Sequence, residues 1–250
     1  MLFRLDRFLN ECDPSLTRKT AKALLHGGSV SVNGNPVRDP AFKVNTDTDT
    51  VCVGGKTISY QQFRYYLLNK PSGVLSASRD KHTRTVVDLI DGIGQDFFPV
   101  GRLDKDTEGL LIITNDGALT HEMLSPKKHV PKTYIAQCSE PIDEGACEKL
   151  RNGIDLGDFT SAPAGVLLLT EDGRTVAITI TEGKFHQVKR MVEAVGSEVI
   201  KLRRIRMGGL WLPYDLAVGE SREMNGEELK TILYGEEKND DEERLSRSYL

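Results

Sequence analysis

With one tryptophan, four cysteines and an aromatic share of 6%, the 250 residues offer few of the side chains that advertise a disulfide scaffold or a cysteine-held metal. Cys12, Cys52, Cys138 and Cys147 are scattered without C-x-x-C spacing, and a chain of this length needs no covalent staples. Free thiols are expected and a zinc site is not. Long hydrophobic runs are missing too. The longest charge-free stretch, 23–37, has 15 residues and contains Gly27, Gly28, Asn33, Gly34 and Pro36, well short of the ~20 apolar residues that span a bilayer. The N-terminal MLFRLDRFLNEC puts charge inside its first apolar turn and has no hydrophobic stretch ending in small residues. A cytoplasmic location is therefore expected. Nor does either charge sign dominate: 33 bases against 37 acids give −4, and 236–250 alone holds six acids and three bases. No global positive field announces a nucleic-acid partner, but a local basic patch is compatible with this balance.

What is present is enough for a core. The 38% hydrophobic share, with 23 glycines, matches ordinary globular chains, and the length suits one large domain or two modest ones. Leu5, Phe8, Leu9 and Cys12 fall at i, i+3, i+4 and i+7, which predicts a short amphipathic helix. A second helix is expected to follow, capped by Ser15 or Thr17, with Leu16, Ala23 and Leu24 facing inward and Gly27 as its left-handed stop. Ser29 to Val32 alternates and runs into Asn33-Gly34, a strong hairpin signal. The Thr-, Asp- and Gly-rich run 45–55 and the polar 61–64 mark a junction near 55–63. Beyond it, strands are predicted over 65–68, 110–114, 133–138, 166–169, 176–180 and 199–202, interspersed with two or three helices. The expected class is α+β with a substantial sheet. The acidic run after Gly235 is expected to be disordered.

Several chemistries lack their parts. There is no G-x-S-x-G elbow, P-loop or complete dinucleotide fingerprint, so hydrolase, kinase and dehydrogenase readings have nothing to stand on. Asp104, Asp106, Glu108 and Gly109 mimic the opening of a calcium loop. Position 12 of that loop is Asn115 instead of a bidentate Glu, however, and 110–114 reads as a strand rather than a helix. What remains is one loop able to hold a carboxylate beside a strand, with an aromatic and several cations downstream. After Gly183, Phe185, Val188, Met191, Val192 and Val195 form one apolar arc of a helix. Lys189 lies at its border, where a stem along the core can deliver the ammonium inward or let it snorkel to water. Arg190 lies farther round the polar side, suited to phosphate or solvent.

In the first fifty residues Arg4, Arg7, Arg18, Lys19, Lys22 and Arg38 supply most of the positive charge, either as a phosphate-binding patch or as an ordinary solvated surface. The run RLDRFLNE…SLTRKTAKALLHGGSVSVNGNPVRDPAFKV resembles an S4-type RNA-binding module, over residues 2 to about 50. GRLDKDTEGLLIITNDG resembles the catalytic motif of pseudouridine synthases. Its combination with KPSG, KTY, EGKFHQVKRM and the S4-like module is similar to the branch that modifies ribosomal RNA. Within that branch FHQVKRM, with GGLWL…DLAVGE, is more similar to the small-subunit (16S) enzymes than to the large-subunit ones, which tend to show Asn-Arg in place of Phe185-His186.

The resemblance implies an S4-like domain over 1–55, a linker over 56–63 and a synthase domain over 64–235 built on a mostly antiparallel mixed sheet flanked by helices, followed by the tail 236–250. It implies Asp104 as the catalytic carboxylate, Lys189 as its cationic partner and Tyr134 as the aromatic packed on the target base. Arg102 would help to open or hold the RNA, and Arg4, Arg7, Arg18, Lys19, Lys22, Arg38 and Arg190 would contact its backbone. Asp104 would act as an anion at the sugar, either attacking C1′ or removing the C2′ proton. The expected partner is ribosomal RNA, 16S or an assembling small subunit, met by a monomer away from any membrane. Isomerisation needs no redox change or group donor, so neither cofactor nor metal is expected. A 23S-specific enzyme, a non-catalytic S4-type assembly factor and a metal-dependent module are the competing readings.

Overall fold

The structure is a computed structural model that describes residues 1–13, 16–94, 96–234 and Leu245. It divides into two compact units, Met1–Phe63 with Asp91–Gln95, and Arg64–Ile90 with Asp96–Leu250. Among the described residues no helix is long and apolar enough to cross a membrane.

In the first unit β1 (Leu2–Arg4) leads directly into α1 (Leu5–Cys12), then come α2 (Arg18–His26), β2 (Val30–Val32), β3 (Asn35–Pro36), β4 (Lys43–Asn45), β5 (Val51–Val53) and β6 (Lys56–Ile58). The stripe on α1 is realised, since Leu5, Phe8 and Leu9 are buried. They meet Phe3, Ala21, Leu25, Val30, Val32, Val44 and Val51 in one apolar cluster. The α1 terminus is satisfied by the chain itself: the Leu5 and Asp6 amides donate to Phe42 O and Pro40 O at 2.8 and 3.1 Å. Thr17 caps α2 by accepting from the Thr20 amide; the alternative cap, Ser15, lies outside the described residues.

Three expectations need correction here. Ala21 and Leu25 are the fully buried face of α2, with Leu16 and Leu24 partly buried against the same cluster, whereas Ala23 is exposed. The run Ala21 to Leu25 offers apolar residues in both phases, and the helix start at Arg18 selects one. The left-handed residue after α2 is Gly28, φ 73°, because Gly27 stays right-handed. Finally, the stretch expected as linker opens with a strand: Gly54 and Gly55, at φ 56° and 79°, turn β5 back into β6. The Asn33-Gly34 turn joins β2 to β3 with both residues at positive φ, as the dipeptide predicts.

The second unit contains β7 (Tyr65–Lys70), β8 (Phe98–Pro99), β9 (Glu108–Thr114), α3 (Gly117–Leu124), β10 (Lys132–Cys138), α4 (Glu144–Asn152), β11 (Gly165–Leu168), β12 (Thr175–Ile180), α5 (Gln187–Ala194), β13 (Val199–Met207), β14 (Leu210–Trp211), β15 (Ser221–Glu223) and α6 (Gly226–Tyr234). Among the described residues its sheet runs β11-β12-β10-β13-β9-β7-β15, with β14 on β13 and β8 on β9. All pairings are antiparallel except β13 with β9. The class is α+β with a mixed sheet.

β9 is central, and Leu110 to Ile113 are completely buried, so an unbroken apolar run rather than alternation is what its covered position requires. Leu110 and Ile112 pack with Leu67, Leu119, Met123, Met207 and Leu210. α3 starts at an Asp116 cap that accepts from the Ala118 and Leu119 amides. The tail 236–250 lies outside the described residues apart from Leu245, which is buried against Ile135, Ala177 and Ile205.

Candidate active site

The loop between β8 and β9 carries the acids, and it is fixed from below. Lys70, wholly buried at the end of β7, donates its Nζ to Pro71 O, Lys105 O and Thr107 O at 3.1, 3.2 and 2.8 Å. Burial depresses this ammonium to about 8, against the opposing pull of Asp106, Asp104 and Glu108. The Gly73 amide adds a 2.7 Å bond to Lys105 O, and the Thr107 amide closes a turn on Asp104 O at 3.1 Å. Ser76 pins the residue before Asp104 twice, its hydroxyl donating to Leu103 O at 2.8 Å and accepting from the Leu103 amide at 3.1 Å.

The two acids of this loop and Glu108, the first residue of β9, then separate. Glu108 turns to Lys201 at 3.1 Å. Asp106 chelates Lys189 Nζ at 2.7 and 3.0 Å and is 70% exposed. Asp104 approaches the same Nζ at 3.1 Å, is 28% exposed and has His186 Nε2 at 3.5 Å from its other oxygen. Burial works against the Lys189 ammonium, but hydrogen bonds and charge from both aspartates outweigh it and hold its pKa above the usual lysine value. The same hydrogen bond from Lys189 holds the Asp106 carboxyl below its usual range. Among the described residues no group of His, Cys, Asp or Glu is arranged to hold a metal ion.

An open cleft of ≈ 420 Å³ lies over Asp104, lined by Arg102, Tyr134, Ile180, Lys189 and Leu202 among others. Tyr134 comes from β10 and is 8% exposed. Its neighbours across the sheet, Ile178 and Arg204, belong to strands on either side, so the ring is braced before any ligand enters. Arg102 is exposed at the cleft margin. The four residues expected at the reaction centre, Asp104, Tyr134, Lys189 and Arg102, therefore share one cavity within one unit.

Arg190 does not reach that cavity. It pairs with Asp158, donates to Leu156 O at 2.6 Å and lies over the Phe159 ring at 5.2 Å. The apolar arc of α5 also starts later than its spacing suggests. Val188, Met191 and Val192 are buried, whereas Phe185 precedes the helix and is 76% exposed. The cause is His186, whose left-handed backbone (φ 51°) breaks the phase before α5 begins. In the first unit Arg4 is tied to Asp6 at 2.9 Å and Arg7 to Glu11 at 3.2 Å. Arg38 packs against Gly28. Arg18, Lys19 and Lys22 stand exposed on α2 and are, among the described residues, without an ion pair.

Three contributors carry weaker sequence signals. Asp106 stands in the acidic spacing that mimics a calcium loop and within GRLDKDTEGLLIITNDG, and neither pattern gives it a role of its own. Lys70 stood in the KPSG patch, but its acceptors are backbone carbonyls that no side-chain motif encodes. His186 stands within FHQVKRM, where spacing assigns it no geometric role.

The RNA pseudouridylate synthase family model matches residues 64–194, and the S4 domain model matches residues 3–51. An RNA pseudouridine synthase of Bacillus subtilis is 46% identical over 234 residues, covering 92% of this chain and 98% of that protein. The ribosomal small subunit pseudouridine synthase A of Vibrio cholerae is 40% identical, covering 92% and 99%. The ribosomal large subunit pseudouridine synthase B of Bacillus subtilis is 39% identical, covering 86% and 90%. A crystal structure of a pseudouridylate synthase superposes with a TM-score of 0.64 at 31% identity, over 92% of this chain and 99% of that one.

Proposed function

The chain belongs to the RNA pseudouridylate synthase family and carries an S4 domain ahead of the synthase domain, and from that premise we propose that it isomerises a specific uridine of 16S ribosomal RNA, with Asp104 as the reacting carboxylate. The observation that carries the assignment to Asp104 is its position: among Asp104, Asp106 and Glu108 it alone lines the cleft, 3.1 Å from an ammonium.

The reaction breaks N1–C1′, leaving the electron pair on the uracil, turns the ring and joins C5 to C1′, after which C5 loses its proton and N1 takes one up. No atom is gained and no electron is lost, so the balance requires no donor or oxidant. Uracil departs with its charge spread over ring carbonyls, which relieves the need for the second, acidic carboxyl of a glycosidase. Asp104, held 3.1 Å from Lys189, meets the sugar at C1′ or takes the C2′ proton; both routes use this one carboxylate. The target base must leave its stack, which costs a few kcal/mol, and packing on the braced Tyr134 ring offsets ~1–3 kcal/mol of that. Arg102 at the margin holds the RNA strand, while Arg18, Lys19 and Lys22 contact backbone phosphate.

The 16S assignment is supported by the small-subunit relative and by the Phe185-His186 pair. The large-subunit relative at 39% identity supports the second reading, a uridine of 23S rRNA. Since Asp104, Lys189, Tyr134 and Arg102 all come from one chain, a monomer is the expected working form, and ribosomal RNA as substrate implies the cytoplasm. Mapping pseudouridines in both rRNAs from cells with and without the gene tests the reading. One uridine in 16S should lose its modification and regain it from the wild-type gene but not from Asp104→Asn. Loss confined to 23S would establish the second reading, and no loss in either would overturn both.

A further inference from the structure

Phe185 is 76% exposed, and its ring stacks on His186 with centroids 3.8 Å apart and planes 17° from parallel. His186 is itself in reach of Asp104, at 3.5 Å. The two rings form the wall of a wider cleft that continues the cavity over Asp104 and is shared with Arg102, Lys105 and Lys184. An aromatic face one stacking layer from the reacting carboxylate, among cations, is the composition with which proteins hold single-stranded bases.

The display is built, not loose. Gln187, nearly buried, accepts from the Lys184 amide at 3.0 Å and donates to Glu182 at 2.6 Å, and Glu182 in turn accepts from the Ala162 amide at 2.9 Å. The Gln187 amide closes the turn on Lys184 O at 3.1 Å. His186 is held left-handed in the middle of this turn, a conformation that a non-glycine residue keeps only when its surroundings impose it. The constraint turns Phe185 outward where a helical continuation would have buried it.

We propose that the outer face of Phe185 stacks on the nucleobase next to the target uridine, so that Phe185 and His186 form a platform that fixes the flanking nucleotide while the target turns into the cleft. This rests on the reading of the chain as an rRNA-modifying synthase.

The test uses the full chain and a 16S transcript containing the mapped uridine, with 2-aminopurine at the flanking position. Phe185→Ala and Phe185→Leu should raise KM roughly 5- to 150-fold, the range expected for one lost base–aromatic stack, with kcat within a few fold. Phe185→Trp should restore KM, and 2-aminopurine should be quenched by wild type and Phe185→Trp but not by Phe185→Ala. A Phe185→Leu variant indistinguishable from wild type, unchanged quenching in Phe185→Ala, or a loss of kcat at constant KM would each overturn the platform. Wild-type protein that forms no pseudouridine would instead overturn the function beneath it.

Discussion

Asp104 and Asp106 stand two residues apart and share one ammonium, so charge alone cannot say which of them reacts. Exposure can: Asp106 is 70% exposed and Asp104 28%. Replacing Asp104 with Asn should abolish turnover, with RNA affinity kept within a few fold. Asp106→Asn should cost less than about tenfold in kcat, because it removes only one of two restraints on Lys189 and leaves the general electrostatics of the cleft intact. Single-turnover kinetics on both variants decides the matter, and equal losses would mean the two acids act as one unit. The spacing of these acids was visible in the sequence, and the resemblance singled out Asp104. Their division of labour was not visible, since it depends on a turn held by carbonyls that Lys70 gathers. Lys132 offers a second residue-level test. Burial, deepened by Arg204, depresses its ammonium to about 8 from 10.5, and its Nζ donates to Val130 O at 2.7 Å. Below pH ~8 the group is charged in folded and unfolded chains alike, and the burial penalty is fully present. Between about 8 and 10.5 only the folded chain has shed the proton, so stability from this site rises with pH. Lys132→Met should therefore match or exceed wild-type Tm near neutral pH, and its relative advantage should shrink by about pH 9.5. A difference that does not change with pH would refute the depressed value.

At the level of elements, the site depends on the parallel junction between β9 and β13. Gly109 faces Arg204 where β9 meets β13, has φ 101°, and a Cβ there would lie 2.1 Å from Arg204 O. That close approach seats the start of β9, just after the acid loop, against β13. Gly109→Ala should cost about 3 kcal/mol or more, from backbone strain and overpacking together. For a unit of this size the corresponding fall in Tm is on the order of 10 °C, readable by calorimetry; a shift within error would mean the junction can slide. Most elements were legible in the sequence because their signals are local. The period of α1, the Asn33-Gly34 turn and the apolar runs of β7, β9, β10 and β12 each have a physical cause within a few residues. The misplaced ones fail for reasons of equal clarity. Ala21 to Leu25 is apolar in two phases, and Phe185 continues the arc of α5 on paper, while the backbone at His186 interrupts it. Periodicity supplies a phase only where the helix continues.

Over the whole molecule the formal charge is −4, so RNA must be drawn by local fields. Those of the first unit reduce, on pairing, to a smaller set than the sequence suggests. Arg4 and Arg7 are engaged by Asp6 and Glu11, leaving Arg18, Lys19 and Lys22 exposed on α2 and Arg38 exposed beside Gly28. If the three on α2 are its phosphate contacts, replacing all three with Glu should lower affinity and make its salt dependence shallower by about two to three in log–log slope, from ~0.7–0.9 per phosphate released. The fold should persist, because the buried face of α2 is Ala21 and Leu25. Deleting 1–63 should weaken binding at least as far, yet leave kcat at saturating RNA unchanged. Asp104, Lys189, Tyr134 and Arg102 all belong to the second unit, which has its own apolar cluster around Leu67, Leu110 and Ile112. Filter binding across a salt series, paired with single-turnover rates, separates the two contributions. An unchanged slope in the triple variant would move the phosphate contacts off α2. A collapse of kcat in the triple variant, whose synthase residues are untouched, would show that the first unit sets the geometry of the reaction and not only the residence of the RNA.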